Sequence, residues 1–162
     1  MSYLIAALLI AVIAVFEAAW PPWLYWGGER PELAVAAVMS AGLVLGAAAG
    51  LEAAFFAALY RGALEAQPWG GLFVGYFAVG LLAGTIGHKL LVRRALAAFL
   101  PAAIAVALFR LIILVFQPPS SLALWAAGTG RATVYTAVIG IVLHGLFLSA
   151  LNRFQPQAEI WR

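Results

Sequence analysis

Five ionisable residues lie inside long apolar stretches of this chain and are the side chains best placed for chemistry: Glu17, Glu52, Arg61, Arg110 and His144. A charged side chain in the middle of a membrane helix costs about 2.5–3.5 kcal/mol on insertion scales, so each needs a partner or a water-filled cavity. We predict that Glu17 pairs with Arg110, because both fall in the outer third of their apolar stretches. Arg61 competes for Glu17 and has Glu65 as its neighbour four residues along the helix.

The remaining two residues have no assigned partners. Glu52 lies near the inner end of its apolar stretch and His144 near the middle of another, so they meet only if those two helices are neighbours. Motifs of hydrolases, zinc proteases and P-loop proteins are absent from the sequence. The two histidines, His88 and His144, are expected at different depths and do not form a metal site. We therefore expect a non-enzymatic protein without a metal or cofactor.

The composition places these residues in a membrane protein. The chain has 162 residues, of which 66% are hydrophobic and 9% charged, and its mean hydropathy is +1.05. Soluble domains carry about 25% charged residues, so a water-soluble fold is excluded. The nine basic residues flank apolar runs and form no basic face, so we expect the lipid bilayer, and not nucleic acid, as the surrounding partner.

The apolar runs predict an all-α integral membrane protein with one domain over residues 1–162. Six transmembrane helices are predicted at about 2–20, 32–47, 50–66, 71–88, 95–116 and 131–151. The first run is expected to be retained, and a short interfacial helix is expected at 122–127, before the Gly128–Gly130 break. With the N-terminus inside, five basic residues (Lys89, Arg93, Arg94, Arg153 and Arg162) lie on the cytoplasmic side and three (Arg30, Arg61 and Arg131) outside, which favours two cytoplasmic termini in an inner membrane.

Small residues recur at four-residue spacing in three sets along the predicted helices. The sets are Ala7 and Ala11; Gly42, Gly46 and Gly50; and Gly80, Gly84 and His88. Small residues let membrane helices approach closely, so the glycine faces serve either packing inside the bundle or binding of a partner's transmembrane helix. We predict that the partner helix packs on Gly42, Gly46, Gly50, Gly80 and Gly84. Trp20, Trp23, Trp26 and Trp125 are typical of a membrane–water boundary, and they equally suit contact with a partner's periplasmic segment.

The order of motifs resembles the rod-shape-determining protein MreD family over about residues 30–90. The matching features are Arg30-Pro31-Glu32-Leu33, then Gly46 to Leu51, then Gln67-Pro68-Trp69-Gly70-Gly71, then Tyr76 to Gly84 with glycines at 80 and 84. The family often has an acidic residue near the end of its third span. This chain departs from that pattern, because Tyr60-Arg61-Gly62 stands there and the nearest acid is Glu65.

The resemblance implies a scaffold of the bacterial cell-elongation complex, which controls cell shape and peptidoglycan synthesis. Members of the family bind MreC, a bitopic protein with a periplasmic domain, and work beside MreB, RodZ and the peptidoglycan synthases. The family fold resembles that of the S components of energy-coupling-factor transporters. A vitamin-binding S component is therefore the alternative, with an outer pocket among Glu17, Trp20, Trp23, Tyr25, Arg61, Tyr76, Arg110 and Tyr135.

Overall fold

The described residues of a computed structural model are 2–65, 69–87 and 98–154, with side chains described from Ala7 to Ser149 outside the two gaps. Their regular structure is helical, as predicted. The α-helices are α1 (Ser2–Ala18), α2 (Leu33–Leu45), α3 (Ala47–Glu65), α4 (Trp69–Gly87), α5 (Phe99–Phe116) and α6 (Leu122–Phe154), and a 3-10 helix spans Pro22–Leu24.

Three of these helices are long and apolar enough to cross a membrane, judged by length and composition over the described residues. They are Trp69–Gly87, Phe99–Phe116 and Leu122–Ser149. Two shorter apolar helices cover Ala7–Ala18 and Leu33–Leu45. This pattern supports the prediction of a helical membrane protein.

Successive helices run in opposite directions. Glu17, near the end of α1, contacts Ala34 at the start of α2, and Gly62 near the end of α3 faces Trp69 at the start of α4. A single residue, Gly46, makes the turn from α2 to α3 with a φ of 91°. Glycine suits this turn because it adopts positive φ without the steric penalty of a Cβ atom.

Helix α2 lies at the centre of the bundle. Its residues from Leu33 to Gly42 are all buried, and it packs against each of the other five α-helices in the described chain. Contacts of α1 with α3, α3 with α4, α4 with α5, and α5 with α6 arrange those five helices around it. A helix that is apolar on every side is stable either among other helices or in lipid, and α2 lies among other helices.

The glycines predicted to receive a partner helix are already used inside the bundle. A Cβ atom on Gly50 would lie 2.5 Å from the carbonyl oxygen of Gly80, and one on Gly42 would lie 2.9 Å from the same oxygen. Gly84 faces the backbone of Ala47 in the same way. The predicted role of Gly42, Gly50, Gly80 and Gly84 in binding a partner helix is therefore wrong, whereas that of Gly46, which forms the turn, stays a prediction. The alternative of internal packing is correct for the four helical glycines, since the backbones of α2, α3 and α4 occupy their faces.

The predicted break at Gly128–Gly130 is also wrong, because α6 continues through it from Leu122 to Phe154. Gly128 is buried against the side chain of Glu29. Glycine costs about 1 kcal/mol in a helix, which tertiary packing readily offsets. His88 and the orientation residues Lys89, Arg93, Arg94 and Arg162 lie outside the described residues, and so does the side chain of Arg153.

The glycine crossing predicts a specific sensitivity to a single methyl group. Gly50→Ala should destabilise the protein by about 1–3 kcal/mol, because the new Cβ forces α3 away from the backbone of α4. Gly130→Ala is the matched control, since nothing lies within 4 Å of its added Cβ. Thermal unfolding of both variants in detergent, followed by tryptophan fluorescence, measures the difference. Equal stability of the two variants would contradict the tight crossing.

Candidate functional site: a buried ion network

Seven charged residues meet at one end of the bundle and form one group, the Arg61 network. Its members come from α1, from the segment before α2, from α3 and from α5: Glu17, Glu29, Arg30, Glu32, Arg61, Glu65 and Arg110. This end of the bundle, named the network end, also holds the segment between α1 and α2. The network is the densest group of polar contacts in the described part of the chain.

Arg61 lies at the centre of the network with only 6% of its surface exposed. Its guanidinium forms ion pairs with Glu17 (3.2 Å), with Glu32 and with Glu65 (3.0 Å). The same group donates to the Tyr76 hydroxyl at 3.2 Å and lies 5.5 Å from the centre of the Phe109 ring. A planar cation with five N–H donors satisfies this many acceptors better than a lysine does.

Glu32 joins the network to four helices. One carboxylate oxygen accepts from Arg61, and the other lies 2.8 Å from Nη2 of Arg110. Its backbone N–H donates to Thr136 of α6 at 2.8 Å. Because Glu32 directly precedes α2, these contacts fix the central helix against α3, α5 and α6.

Sequence reasoning missed the role of Glu32 and treated it only as part of a family motif. The sequence did contain a sign of this role. Glu32 is the first residue of an apolar run, and such an acid is a natural partner for arginines at the same predicted height. An acidic group also suits the positive end of a helix dipole.

The predicted Glu17–Arg110 pair is wrong. Glu17 contacts Arg61 instead, and its other oxygen accepts the backbone N–H of Ala34 at 2.6 Å. Arg110 pairs with Glu29 at 3.0 Å and with Glu32. The helix arrangement explains both pairs. Helix α1 packs against α2 and α3, which brings Glu17 to Arg61, and Glu32, directly before α2, accepts a hydrogen bond from Arg110. The competing interpretation, in which Arg61 takes Glu17, is correct.

A tight turn brings the outer members of the network into place. Gly27 and Gly28 have φ values of 60° and 87°, and Trp26 and Glu29 exchange two backbone hydrogen bonds of 2.9 and 3.2 Å across them. This turn holds Glu29 beside Arg110 and Arg30 beside Glu65. Positive φ at two successive positions explains the Gly-Gly sequence.

The four predicted boundary tryptophans differ in exposure. Trp23 is 80% exposed and Trp26 is 50% exposed, whereas Trp20 and Trp125 are partly buried. Trp20 and Trp26 pack edge-on against Tyr135, whose hydroxyl donates to the Leu24 carbonyl at 2.8 Å. Trp23 therefore projects from a segment that its neighbours hold rigidly.

The structure does not pair Glu52 with His144. His144 is fully buried in α6, and its Nδ1 lies 3.2 Å from the Ser40 hydroxyl of α2. Glu52 is exposed on α3. Of these two residues, His144 therefore belongs to the packing of the central helix, while Glu52 points out of the bundle.

The network is suited to holding helices together. Its three arginines are each paired with carboxylates, and Arg61 fills the space between Glu17, Glu32 and Glu65 that a bound cation would need. Over the described ranges, no group of three histidine, cysteine, aspartate or glutamate residues is placed to bind a metal ion.

Comparisons with models of protein families, with curated proteins and with solved structures found no match for this chain. The geometry and the sequence motifs therefore provide the basis for a functional proposal.

Arg61→Met should destabilise the protein by about 3–5 kcal/mol, because it leaves Glu17 and Glu32 buried without their shared cation. Arg30→Met is the matched control. It removes a partner of the same Glu65 from a position where the side chain is 23% exposed, and it should cost at most about 1 kcal/mol. Thermal unfolding in detergent measures both losses, and similar losses would contradict the central role of Arg61.

A double substitution tests the ion pair itself. Arg61→Met combined with Glu32→Gln should lose less stability than the two single losses together, by about 0.5–3 kcal/mol, because the neutral glutamine no longer needs the cation. Strictly additive losses in the same unfolding measurement would show that the two side chains act independently.

Proposed function

We propose that this chain is a non-enzymatic scaffold of the bacterial inner membrane that binds MreC and thereby takes part in the cell-elongation complex. In this proposal the six helices cross the bilayer with both termini in the cytoplasm. MreB, RodZ and the peptidoglycan synthases are the further partners that the resemblance to the MreD family implies. The complex would help control cell shape and peptidoglycan synthesis.

The observation that carries the proposal is that the charged groups of the Arg61 network form ion pairs with each other. Arg61, Tyr76 and Arg110 were the polar groups best suited to recognise a small molecule from outside, and each is engaged with other residues of the network end. Separating a buried ion pair in order to admit a ligand would cost several kcal/mol. A network of this kind makes a rigid platform, which favours a scaffold over a vitamin-binding S component.

The helix directions support the proposed topology. Because successive helices alternate in direction, the start of α1 and the end of α6 lie at the same end of the bundle, opposite the network. Helix α2 has 13 residues, or about 20 Å, which is short for a bilayer core of about 30 Å. The short length of α2 is compatible with this topology, because a helix that other helices surround need not match the thickness of the lipid.

The proposed contact with the periplasmic part of MreC is centred on Trp23. This side chain is the most exposed of the large apolar residues in the described chain, and the Gly27–Gly28 turn and Tyr135 hold its neighbours in place. Binding hot spots are enriched in tryptophan, and a pre-ordered loop loses little entropy on binding. Trp26 contributes through its exposed half, and Trp20 supports the loop through its contact with Tyr135, while Trp125 is partly buried on α6.

Co-expression with the MreC of the same organism tests the proposal. The tagged chain should purify from detergent as a stable complex with MreC, and Trp23→Ala should weaken the complex about tenfold or more. Leu124→Ala is the control, because Leu124 is also a largely exposed apolar residue near the start of α6. Binding measured by biolayer interferometry gives the ratio.

Two outcomes would contradict the proposal. One is the absence of a complex when both proteins are folded and in the membrane. The other is a vitamin that remains bound through purification and that mass spectrometry identifies, since this result would support the S component instead.

A further inference from the structure

Glu52 lies in an otherwise apolar part of the outer face of α3. Ala48 and Phe55, one helical turn to either side of it, are exposed on the same face. The described residues offer Glu52 no ion pair, in contrast to Glu17, Glu29, Glu32 and Glu65, which all pair with arginines. A carboxylate in such a position is unusual in a helix that faces lipid.

The contacts between α3 and α4 give the height of Glu52 in the bundle. The two helices are antiparallel, with Gly50 against Gly80 and Gly62 against Trp69. This register places Glu52 level with about Ala78, which is the middle residue of α4 (Trp69–Gly87). At 1.5 Å per residue, Glu52 is about 13 Å from either end of this membrane-spanning candidate. Within its own helix, Glu52 is five residues after Ala47, so it lies in the first third of α3, as predicted, while it is level with the middle of the neighbouring α4.

If α4 spans the bilayer core, a carboxylate at this height is too far from either end of α4 to reach the surface. A glutamate side chain is far shorter than 13 Å, so it does not extend to the headgroups in the way that lysine and arginine do near helix ends. Ionisable residues in the middle of a membrane usually face a partner. The described residues provide no ion pair for Glu52, so a partner on another polypeptide is expected.

The chemistry of that partner follows from the carboxylate and its neighbours. A basic side chain on another membrane helix would neutralise Glu52, the small Ala48 would allow close approach, and Phe55 would add apolar contact. The basic side chains in the described part of a second copy are a poor source of the cation. Arg30, Arg61 and Arg110 are paired within the network, and Arg131 is level with the Gly27 turn at the network end.

We infer that the face formed by Ala48, Glu52 and Phe55 binds a single transmembrane helix that carries a lysine or an arginine near its middle. The inference rests on the proposed function in one respect, namely that the partner crosses the bilayer as a single helix. The glycine faces are buried, so the partner helix is placed instead on the exposed face of α3.

Synthetic helices reconstituted with the full-length protein test the recognition directly. One is an apolar helix of about 20 residues with a central lysine, a second has leucine there, and a third has the lysine at one end. In phosphatidylcholine vesicles, energy transfer should show the central-lysine helix binding about 3- to 30-fold more tightly than the other two. Glu52→Gln should abolish this preference, and Glu52→Lys should transfer it to a helix with a central glutamate.

Cross-linking locates the helix on the bundle. The chain contains no cysteine, so a single introduced cysteine reports on one position. A cysteine one turn from the central lysine should form a disulfide with Ala48→Cys and not with Val138→Cys, which is on the exposed side of α6.

The outcomes separate this inference from the proposed function. Equal binding of the three helices, or a preference that survives Glu52→Gln, overturns the inference, and so does association of two copies of this chain through Glu52. If MreC binds the wild-type protein and Glu52→Gln equally well, the scaffold stands and the α3 face is wrong. If the central-lysine helix binds as expected and MreC does not, the α3 face stands and the proposed partner is wrong.

Discussion

The arrangement of this bundle depends on one buried cation, the guanidinium of Arg61. It is surrounded by Glu17, Glu32 and Glu65, and the Tyr76 hydroxyl and the Phe109 ring complete its surroundings. These residues belong to α1, the start of α2, α3, α4 and α5. Burial of any one of these charges alone would cost several kcal/mol, so the ion pairs favour an arrangement that keeps these helices together. The network thus links five of the six α-helices.

Close backbone packing performs the corresponding role away from the network. In lipid, apolar side chains gain little by leaving the solvent for each other, so small residues and short interhelical distances drive association. The crossing of Gly42, Gly50 and Gly80 meets this requirement, and the single-residue turn at Gly46 keeps α2 and α3 close to α4. The buried contact of His144 with Ser40 adds a polar tie between the central helix and α6.

Polar side chains are divided between the inside and the outside of the bundle, and this division shapes the proposed function. The arginines and glutamates of the network form ion pairs with each other, and Trp23 projects from the same end of the bundle. Glu52 is the contrasting case, since its carboxylate lies at mid-height on an exposed face. A protein that binds other membrane proteins needs both features, namely a stable frame and a few groups whose partners lie elsewhere.

The sequence by itself determined the class of protein, the helices and their breaks at the proline-rich segments, because these depend on composition and on local backbone preferences. It also indicated that Arg61 competes for Glu17. Only the tertiary structure decided that α2 is central, that Gly42, Gly50, Gly80 and Gly84 are buried, and that Glu32 pairs with Arg110. The physical reason is that alanine- and glycine-rich helices look alike on every face, so their neighbours follow from shape and charge pairing between segments far apart in the chain. The continuity of α6 through Gly128 has the same origin, since its contact with Glu29 spans about a hundred residues of sequence.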